Sequence, residues 1–318
     1  MPLEQGPQGY EVFDDEQDEH GPDPPDRPAA PSEDTTVTAP TARTVSLPDG
    51  GTVPALGLGT WYLGEQPAQR ATELAALRTG IDSGLTLIDT AEMYGGGAAE
   101  ELVGEAVVGR RDSVYLVSKV LPSHATRRGT VQACQASLRR LGTDHLDLFL
   151  LHWRGRVPLA ETVAGFEDLV QAGLIGGWGV SNFDAPDLDE LASVAGGARV
   201  QTDQVLYNLA RRGPEHDLVP RCRAAGMPMM AYSPVDHGQL LEHPAVRDLA
   251  DARGVTPAQL ALAWVLRLPE VFAVVKASSP ARVTENRAAM EIDLSPEELE
   301  QLDRVFPPPS GKVPLEMR

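Results

Sequence analysis

The chain has 318 residues, a formal net charge of −19 and a hydrophobic content of 42%. This length and apolar content suffice for one large domain with an extended core, and the acidic balance argues against sequence-independent binding to nucleic acid or anionic lipid. The two cysteines, Cys134 and Cys222, lack metal-ligand or redox-motif spacing, so we expect reduced thiols, no disulfide and no metal.

The first 43 residues are rich in Pro, Gly and acidic side chains. They contain eleven Asp and Glu residues against Arg27 and Arg43, so this segment carries −9 of the net charge and the remainder carries −10. A segment with almost no periodic apolar residues cannot offset its own ordering entropy, which predicts a disordered acidic tail over residues 1–43. We favour a solvated extension over a partner-binding arm.

From Thr44 onward the pattern becomes regular. Residues 44–47, a Pro-Asp-Gly-Gly turn at 48–51 and residues 52–55 predict a short N-terminal β-hairpin. Apolar β-rich runs then alternate with amphipathic stretches. The strands are predicted at 55–59, 85–89, 114–119, 146–152, 175–181, 200–204, 228–233 and 272–276. The helices are predicted at 68–83, 98–109, 126–141, 160–172, 185–194, 214–225, 256–268, 280–290 and 295–305.

Eight strand–helix units with continuously apolar strands indicate a parallel sheet that is buried on both faces. We therefore predict that residues 44–318 form a single α/β domain, a (β/α)8 TIM barrel. The competing fold is a doubly wound dinucleotide-binding sheet. Gly57 and Gly59 supply the first half of its glycine fingerprint, but Tyr62 occupies the third position and no helix is predicted there, so this alternative fails.

Polar residues at the carboxyl ends of barrel strands are the candidates for chemistry. Asp89, Lys119 and His152 end the second, third and fourth strands, and Tyr94 follows Asp89 in the next loop. A lysine ammonium next to a tyrosine is expected to lower the tyrosine pKa, and a carboxylate holds the ammonium in place. This predicts Tyr94 as general acid, tuned by Lys119 and Asp89, with His152 donating to a substrate carbonyl oxygen.

Each of these four residues alone is compatible with an ordinary structural role, as a cap, a strand end, a packing aromatic or a core histidine. Their coincidence at three adjacent strand ends favours function.

Seven runs resemble, in order, motifs of the aldo-keto reductase superfamily and span the predicted barrel. They are LIDTAEMYG (87–95), LVSKV (116–120), LLHW (150–153), GVSNF (179–183), QVLYN (204–208), AYSP (231–234) and KASSPARVTEN (276–286). Three further runs are similar to the bacterial group that includes methylglyoxal reductases: LGTWYLGE (58–65), GLTLIDTAEMYG (84–95) and ASLRRL (136–141).

The resemblance implies an oxidoreductase that uses NADPH to reduce small aldehydes or ketones, with Tyr94 as acid. Ser181, Asn182 and Gln204 match residues that bind the nicotinamide carboxamide, and Tyr232 matches the aromatic residue that stacks on the ring. The full set of implied cofactor contacts is Thr60, Trp61, Asp89, Ser181, Asn182, Gln204, Tyr232, Ser233, Lys276, Ser278, Arg282, Glu285 and Asn286. The implied substrate contacts are Trp61, Tyr94, His152 and Trp153.

In this resemblance Lys276 and Arg282 match cations that bind the adenosine 2′-phosphate, and Glu285 and Asn286 match adenine contacts. The residues point independently to a phosphate site, because a helix N-terminus with nearby cations attracts anions. Ordinary N-capping by Ser278 or Ser279 beside surface cations would give the same pattern. Ala277 stands where many family members have serine, which removes one hydroxyl from this site.

Two functions remain open: a reductase, or an NADPH-binding barrel that serves as a redox-sensing or regulatory subunit with little turnover. Short loops predict an open, shallow, aromatic mouth that suits methylglyoxal and small aromatic aldehydes, with only residues 307–318 left to fold over it. With no signal-peptide pattern and no apolar stretch of about 18 residues, we expect a cytoplasmic monomer or weak homo-oligomer without nucleic-acid or membrane partners.

Overall fold

The computed structural model describes residues 43–318, so the predicted tail lies outside the described residues except for Arg43. The described part begins with an antiparallel hairpin of β1 (Thr44–Ser46) and β2 (Thr52–Pro54), as predicted. The turn contains Gly50 at φ +89°, a conformation that glycine adopts without strain. The Asp49 amide donates to the Gln201 side chain, 3.1 Å away and just before the sixth barrel strand, so the hairpin packs against the amino-terminal end of the barrel.

Eight parallel strands form a closed barrel, which confirms the predicted (β/α)8 fold. The strands are β3 (Leu56–Gly59), β4 (Leu87–Asp89), β5 (Tyr115–Val120), β6 (Leu146–Leu151), β7 (Ile175–Ser181), β8 (Asp203–Leu206), β9 (Met229–Tyr232) and β10 (Val271–Lys276). Sequential strands are neighbours, and β10 closes the barrel by pairing with β3, where Lys276 lies opposite Gly59. Gly57 of β3 is required by packing, because a Cβ there would lie 2.6 Å from the Leu87 side chain of β4.

Helices follow the strands. They are α1 (Arg70–Asp82), α2 (Ala98–Ala106), α3 (Arg127–Leu141), α4 (Leu159–Gln171), α5 (Ala185–Ser193), α6 (Leu218–Ala224), α7 (Pro244–Arg253), α8 (Pro257–Val265), α9 (Pro280–Ala288) and α10 (Pro296–Val305). Both α8 and α10 begin with a proline. In each helix the residue before the proline, Thr256 or Ser295, is the N-cap and exchanges hydrogen bonds with the third helical residue in a capping box. Within residues 43–318, none of the helices is long and apolar enough to cross a bilayer.

The structure differs from the predicted elements in several places, and α2 and α8 each end three residues earlier than predicted. The predicted helix 214–225 is a 3-10 turn at Gly213–Glu215 followed by α6, because Asp217 leaves the helical region at φ −135°. Helix α7 was not predicted; it is a second helix between β9 and β10, where only one helix was expected. Strand β8 begins three residues later than expected and extends to Leu206.

Candidate active site

The carboxyl ends of β4, β5 and β6 bring together the four residues predicted for catalysis. The Lys119 ammonium is buried and donates to Asp89 Oδ2 at 2.8 Å, to the Thr90 carbonyl at 2.8 Å and to the Tyr94 hydroxyl at 3.1 Å. The ring of His152 stands perpendicular to that of Tyr94, with centroids 5.7 Å apart. A hydroxyl, an ammonium, a carboxylate and an imidazole therefore meet at one wall of the barrel mouth.

The turn that carries Tyr94 is shaped by glycine. Tyr94 opens a 3-10 turn that includes Gly95, Gly96 and Gly97, whose φ angles are +57°, +62° and +103°. Such angles lie in the left-handed region, where most other residues are strained. They reverse the chain between β4 and α2, and Tyr94 lies at the mouth of the barrel.

The electrostatics of this group differ from the prediction in one respect. Loss of hydration, followed by the Asp89 carboxylate, holds the pKa of Tyr94 well above its usual value. The pKa of Tyr94 is therefore raised overall and not lowered as expected, because burial and Asp89 outweigh the effect of the Lys119 ammonium. Burial also lowers the pKa of Lys119, although Asp89 opposes this shift. Tyr94 thus keeps its proton at neutral pH.

The imidazole of His152 is uncharged at neutral pH. Burial, and to a lesser extent the Lys119 ammonium, lower its pKa to about 2. Its Nδ1 atom is buried and has no hydrogen-bond partner among residues 43–318. A neutral imidazole still carries one N–H donor, which is what polarisation of a carbonyl oxygen requires.

Next to this wall, the side chains of Ser181, Asn182 and Tyr232 form a hydrogen-bonded group. The Tyr232 hydroxyl donates to Asn182 Oδ1 at 2.9 Å, and Asn182 Nδ2 donates to the His152 carbonyl at 3.1 Å and to Ser181 Oγ at 3.0 Å. Asn182 adopts φ +59°, an angle that asparagine tolerates better than most residues. These contacts fix the orientation of the Tyr232 ring and of the Asn182 side-chain amide at the mouth of the barrel.

Gln204 and Thr60 connect this group to the catalytic wall. Gln204 Nε2 donates to Asp89 Oδ1 at 2.8 Å, and Ser181 Oγ donates to the Gln204 carbonyl at 2.8 Å. The Thr60 hydroxyl donates to the Asp89 carbonyl at 3.0 Å. Ser233, also predicted to bind cofactor, is the first residue after β9 and has a backbone φ of +51°. Its hydroxyl oxygen lies 3.2 Å from His237 Nε2.

The predicted phosphate site lies where β10 leads into α9. Lys276 is exposed at the end of β10, and Arg282 is exposed on the first turn of α9. Ser279 occupies the N-cap position, yet its side chain caps no amide, so the alternative of ordinary capping by Ser279 is not realised. Within residues 43–318, no side chain thus caps the first amides of α9, which leaves them available to an anionic ligand.

The remaining predicted cofactor residues lie near this helix start. Ser278 is half-buried in the turn before α9. Glu285 and Asn286 lie on α9 itself, where Asn286 is buried and the Glu285 carbonyl accepts from Gln259 Nε2 at 3.1 Å.

A cavity of about 380 Å³ opens in front of Tyr94 and His152. It is lined by Trp61, Met93, Tyr94, His152, Trp153, Asn182, Gln204, Tyr232, Met317 and Arg318. The sequence predicted most of this lining but not Met93, and it predicted Met317 and Arg318 only as part of the segment 307–318. All four predicted substrate contacts, including Trp61 and Trp153, line the cavity.

The C-terminal segment, residues 307–318, reaches this cavity, as expected. The Arg318 amide donates to the Tyr232 hydroxyl at 3.2 Å, and the Arg318 guanidinium pairs with Asp236 at 2.9 Å. Farther back, Lys312 pairs with Asp217 at 3.2 Å. Ion pairs therefore attach this segment to the loops after β8 and β9.

No cluster of three or more His, Cys, Asp or Glu side chains within residues 43–318 is arranged to hold a metal ion. Cys134 and Cys222 are free and buried. Burial raises the pKa of the Cys134 thiol to about 12 and also raises that of Cys222, which keeps both thiols protonated and unreactive.

Comparisons with known proteins identify the family. The family model described as "Aldo/keto reductase family" matches residues 55–306. The methylglyoxal reductase YeaE of Escherichia coli is 50% identical over 271 residues, which cover 84% of this chain and 95% of that protein. Mouse aldo-keto reductase family 1 member A1 is 32% identical and covers 83% of this chain and 89% of its own.

Solved structures give the same result. A Klebsiella pneumoniae aldo/keto reductase in complex with NADP and acetate superimposes with a TM-score of 0.85 at 53% identity, covering 87% of this chain and 100% of its own. The thermostable aldo-keto reductase Tm1743 with epalrestat gives a TM-score of 0.78 at 40% identity, with 82% and 99% coverage respectively.

Proposed function

Because this chain belongs to the aldo/keto reductase family, we propose that it is an NADPH-dependent reductase of small aldehydes and ketones. Methylglyoxal-like α-oxo-aldehydes and small aromatic aldehydes are the substrates we favour. The observation that carries the proposal is the contact of 3.1 Å between the Lys119 ammonium and the Tyr94 hydroxyl, at the wall of an aromatic cavity. The similarity to a methylglyoxal reductase and to a structure with bound NADP supports it.

The residues of the wall account for the proton that carbonyl reduction needs. The substrate oxygen accepts hydrogen bonds from Tyr94 and from neutral His152, which polarises the carbonyl and stabilises the developing alkoxide. NADPH, when bound, supplies the hydride that adds to the carbonyl carbon. Tyr94 then gives its proton to the oxygen, so that an alcohol forms.

Lys119 and Asp89 make this proton transfer feasible. The high pKa of Tyr94 keeps the donor protonated, but it also makes the phenolate that remains after transfer unfavourable. The Lys119 ammonium, 3.1 Å away, stabilises that phenolate by charge, and Asp89 holds the ammonium in place.

We assign cofactor binding to the other half of the mouth. Ser181, Asn182 and Gln204 would hold the nicotinamide carboxamide, and the ring of Tyr232 would stack against the nicotinamide. The uncapped start of α9 would hold the 2′-phosphate together with Lys276 and Arg282. Thr60, Trp61, Asp89, Ser233, Ser278, Glu285 and Asn286 complete the proposed set.

Tyr94→Phe tests the assignment. We expect kcat for methylglyoxal to fall at least about 100-fold, because one positioned general acid contributes 10²–10⁴, while the dissociation constant for NADPH stays unchanged. The measurement is NADPH oxidation at saturating substrate together with cofactor titration. Wild-type turnover in the variant would remove Tyr94 from the mechanism. Wild-type protein that binds NADPH without turning over any aldehyde would favour the regulatory alternative.

A further inference from the structure

The side chain of Glu92 connects the loop that carries Tyr94 to the segment after Lys119. Glu92 Oε1 accepts a hydrogen bond from the Leu121 backbone amide at 2.7 Å and lies 3.0 Å from His124 Nδ1. The Glu92 side chain is only 10% exposed, whereas that of His124 is 53% exposed. Glu92 precedes Tyr94 by two residues, and Leu121 follows Lys119 by two.

We expect Tyr94 to depend on such a connection because the three residues after it are glycines, which restrict the backbone less than other residues do. Three consecutive glycines with positive φ follow Tyr94, and glycine has more conformational freedom than any other residue. Before Tyr94, the Thr90 amide donates to the Val117 carbonyl at 2.9 Å, but the Glu92 amide approaches the Lys119 carbonyl only to 3.4 Å. Backbone contacts to β5 therefore weaken as the chain leaves the strand.

The side chains of Thr90, Ala91 and Met93 add no hydrogen bond to these weakening backbone contacts within the described chain. Within the described chain, the Thr90 hydroxyl is buried without a hydrogen-bond partner. Ala91 has no polar side-chain atom, and Met93 is an exposed methionine at the cavity. Between Asp89 and Tyr94, the Glu92 carboxylate is thus the side chain that fastens the loop to a neighbouring segment.

We propose that Glu92 is a positioning residue that holds Tyr94 at hydrogen-bond distance from Lys119. Glu92 does not line the cavity and does not contact the Lys119 ammonium. Its carboxylate joins the loop just before Tyr94 to the chain directly beyond β5. Lys119 itself is fixed by its place within a buried strand. The inference rests on the proposed role of Tyr94 as proton donor.

The conservative and the disruptive substitution at Glu92 give opposite expectations. In Glu92→Gln the amide oxygen can still accept from Leu121, so we expect kcat to remain close to that of the wild type. In Glu92→Ala no acceptor remains, and we expect kcat to fall by up to about 100-fold, since a misplacement of about 1 Å can cost that much. The dissociation constant for NADPH and the melting temperature should change little in either variant.

Single-turnover reduction of methylglyoxal, NADPH titration and thermal melting would be measured on each full-length variant. Glu101→Ala, which removes an exposed glutamate of α2, serves as the matched control and should behave as wild type. Equal losses in Glu92→Gln and Glu92→Ala, or a loss of NADPH affinity that parallels the loss of kcat, would overturn the positioning role.

The double variant Glu92→Ala/Tyr94→Phe separates this inference from the proposed function. If Glu92 acts through Tyr94, the double variant should be no slower than Tyr94→Phe alone. If the losses in kcat of the two single variants multiplied in the double variant, the inference would be contradicted, while the proposed role of Tyr94 as the acid would stand. If Tyr94→Phe alone were fully active, the proposed function of Tyr94 would fail first, and the inference with it.

Discussion

Arg282 contributes a positive charge at the start of α9, which no side chain among residues 43–318 caps, and this combination should discriminate between cofactors. A charge-assisted hydrogen bond to phosphate contributes about 1.5–3 kcal/mol. We therefore expect Arg282→Ala to raise the dissociation constant for NADPH by roughly 10- to 100-fold. NADH has no 2′-phosphate, so its affinity should change little. Titration of both cofactors by fluorescence is the measurement.

The control for Arg282 is Arg304→Ala, because Arg304 is an exposed arginine on another helix, α10, and within residues 43–318 its one ion pair is the 4.0 Å contact with Glu300. That variant should leave both affinities unchanged. If Arg282→Ala weakened NADPH and NADH equally, the 2′-phosphate would have to lie elsewhere.

At the scale of single residues, the sequence predicted which side chains meet but not how their charges balance. Asp89, Lys119 and His152 could be found because each directly ends an apolar strand, and parallel strands bring such residues to one face. The pKa of Tyr94 could not be predicted, since it depends on how far the hydroxyl is withdrawn from water and on its distance from Asp89. Glu92 was not singled out, because its partner is a backbone amide with no sequence signature.

At the scale of elements, the barrel strands were predictable because continuous apolar runs fill the buried sheet. The strand Ile175–Ser181 agrees with its prediction at both ends. Helix α7 was missed although His243-Pro244 and Gly254 mark its ends, because it is a second helix between β9 and β10, where the sequence predicted only one. The path of residues 307–318 had no periodic signal, since ion pairs and single contacts fix it.

That C-terminal segment should control access to the cavity. Met317 and Arg318 form one of its walls, so removal of residues 315–318 should raise KM for methylglyoxal several-fold and admit bulkier aldehydes. Affinity for NADPH should fall less than affinity for substrate. Steady-state kinetics with methylglyoxal and with a bulky aromatic aldehyde would show the change.

Lys312→Ala provides the comparison, because it breaks an ion pair of the same segment away from the cavity wall. We expect it to leave KM near the wild-type value. An equal increase in KM for both variants would mean that general loosening, and not the missing wall, is responsible.

At the scale of the whole molecule, the volume of the mouth should set substrate size. A cavity of about 380 Å³ framed by Trp61, Tyr94 and Trp153 suits a small or flat carbonyl compound. We expect kcat/KM to be higher for methylglyoxal and small aromatic aldehydes than for steroids or open-chain sugars. Side-by-side kinetics at saturating NADPH would decide, and a steroid reduced ten times more efficiently than methylglyoxal would refute the expectation.

The positions of the site residues in the sequence suggest how the protein could be redesigned. Asp89, Tyr94, Lys119 and His152 all come from the loops and strand ends of β4 to β6, whereas the proposed phosphate contacts lie at 276–286, after β10. The residues proposed to set the preference for NADPH and those proposed to transfer the proton thus lie in separate segments of the chain. We expect that a library confined to residues 276–286 could be selected for use of NADH with Tyr94 and Lys119 left unchanged.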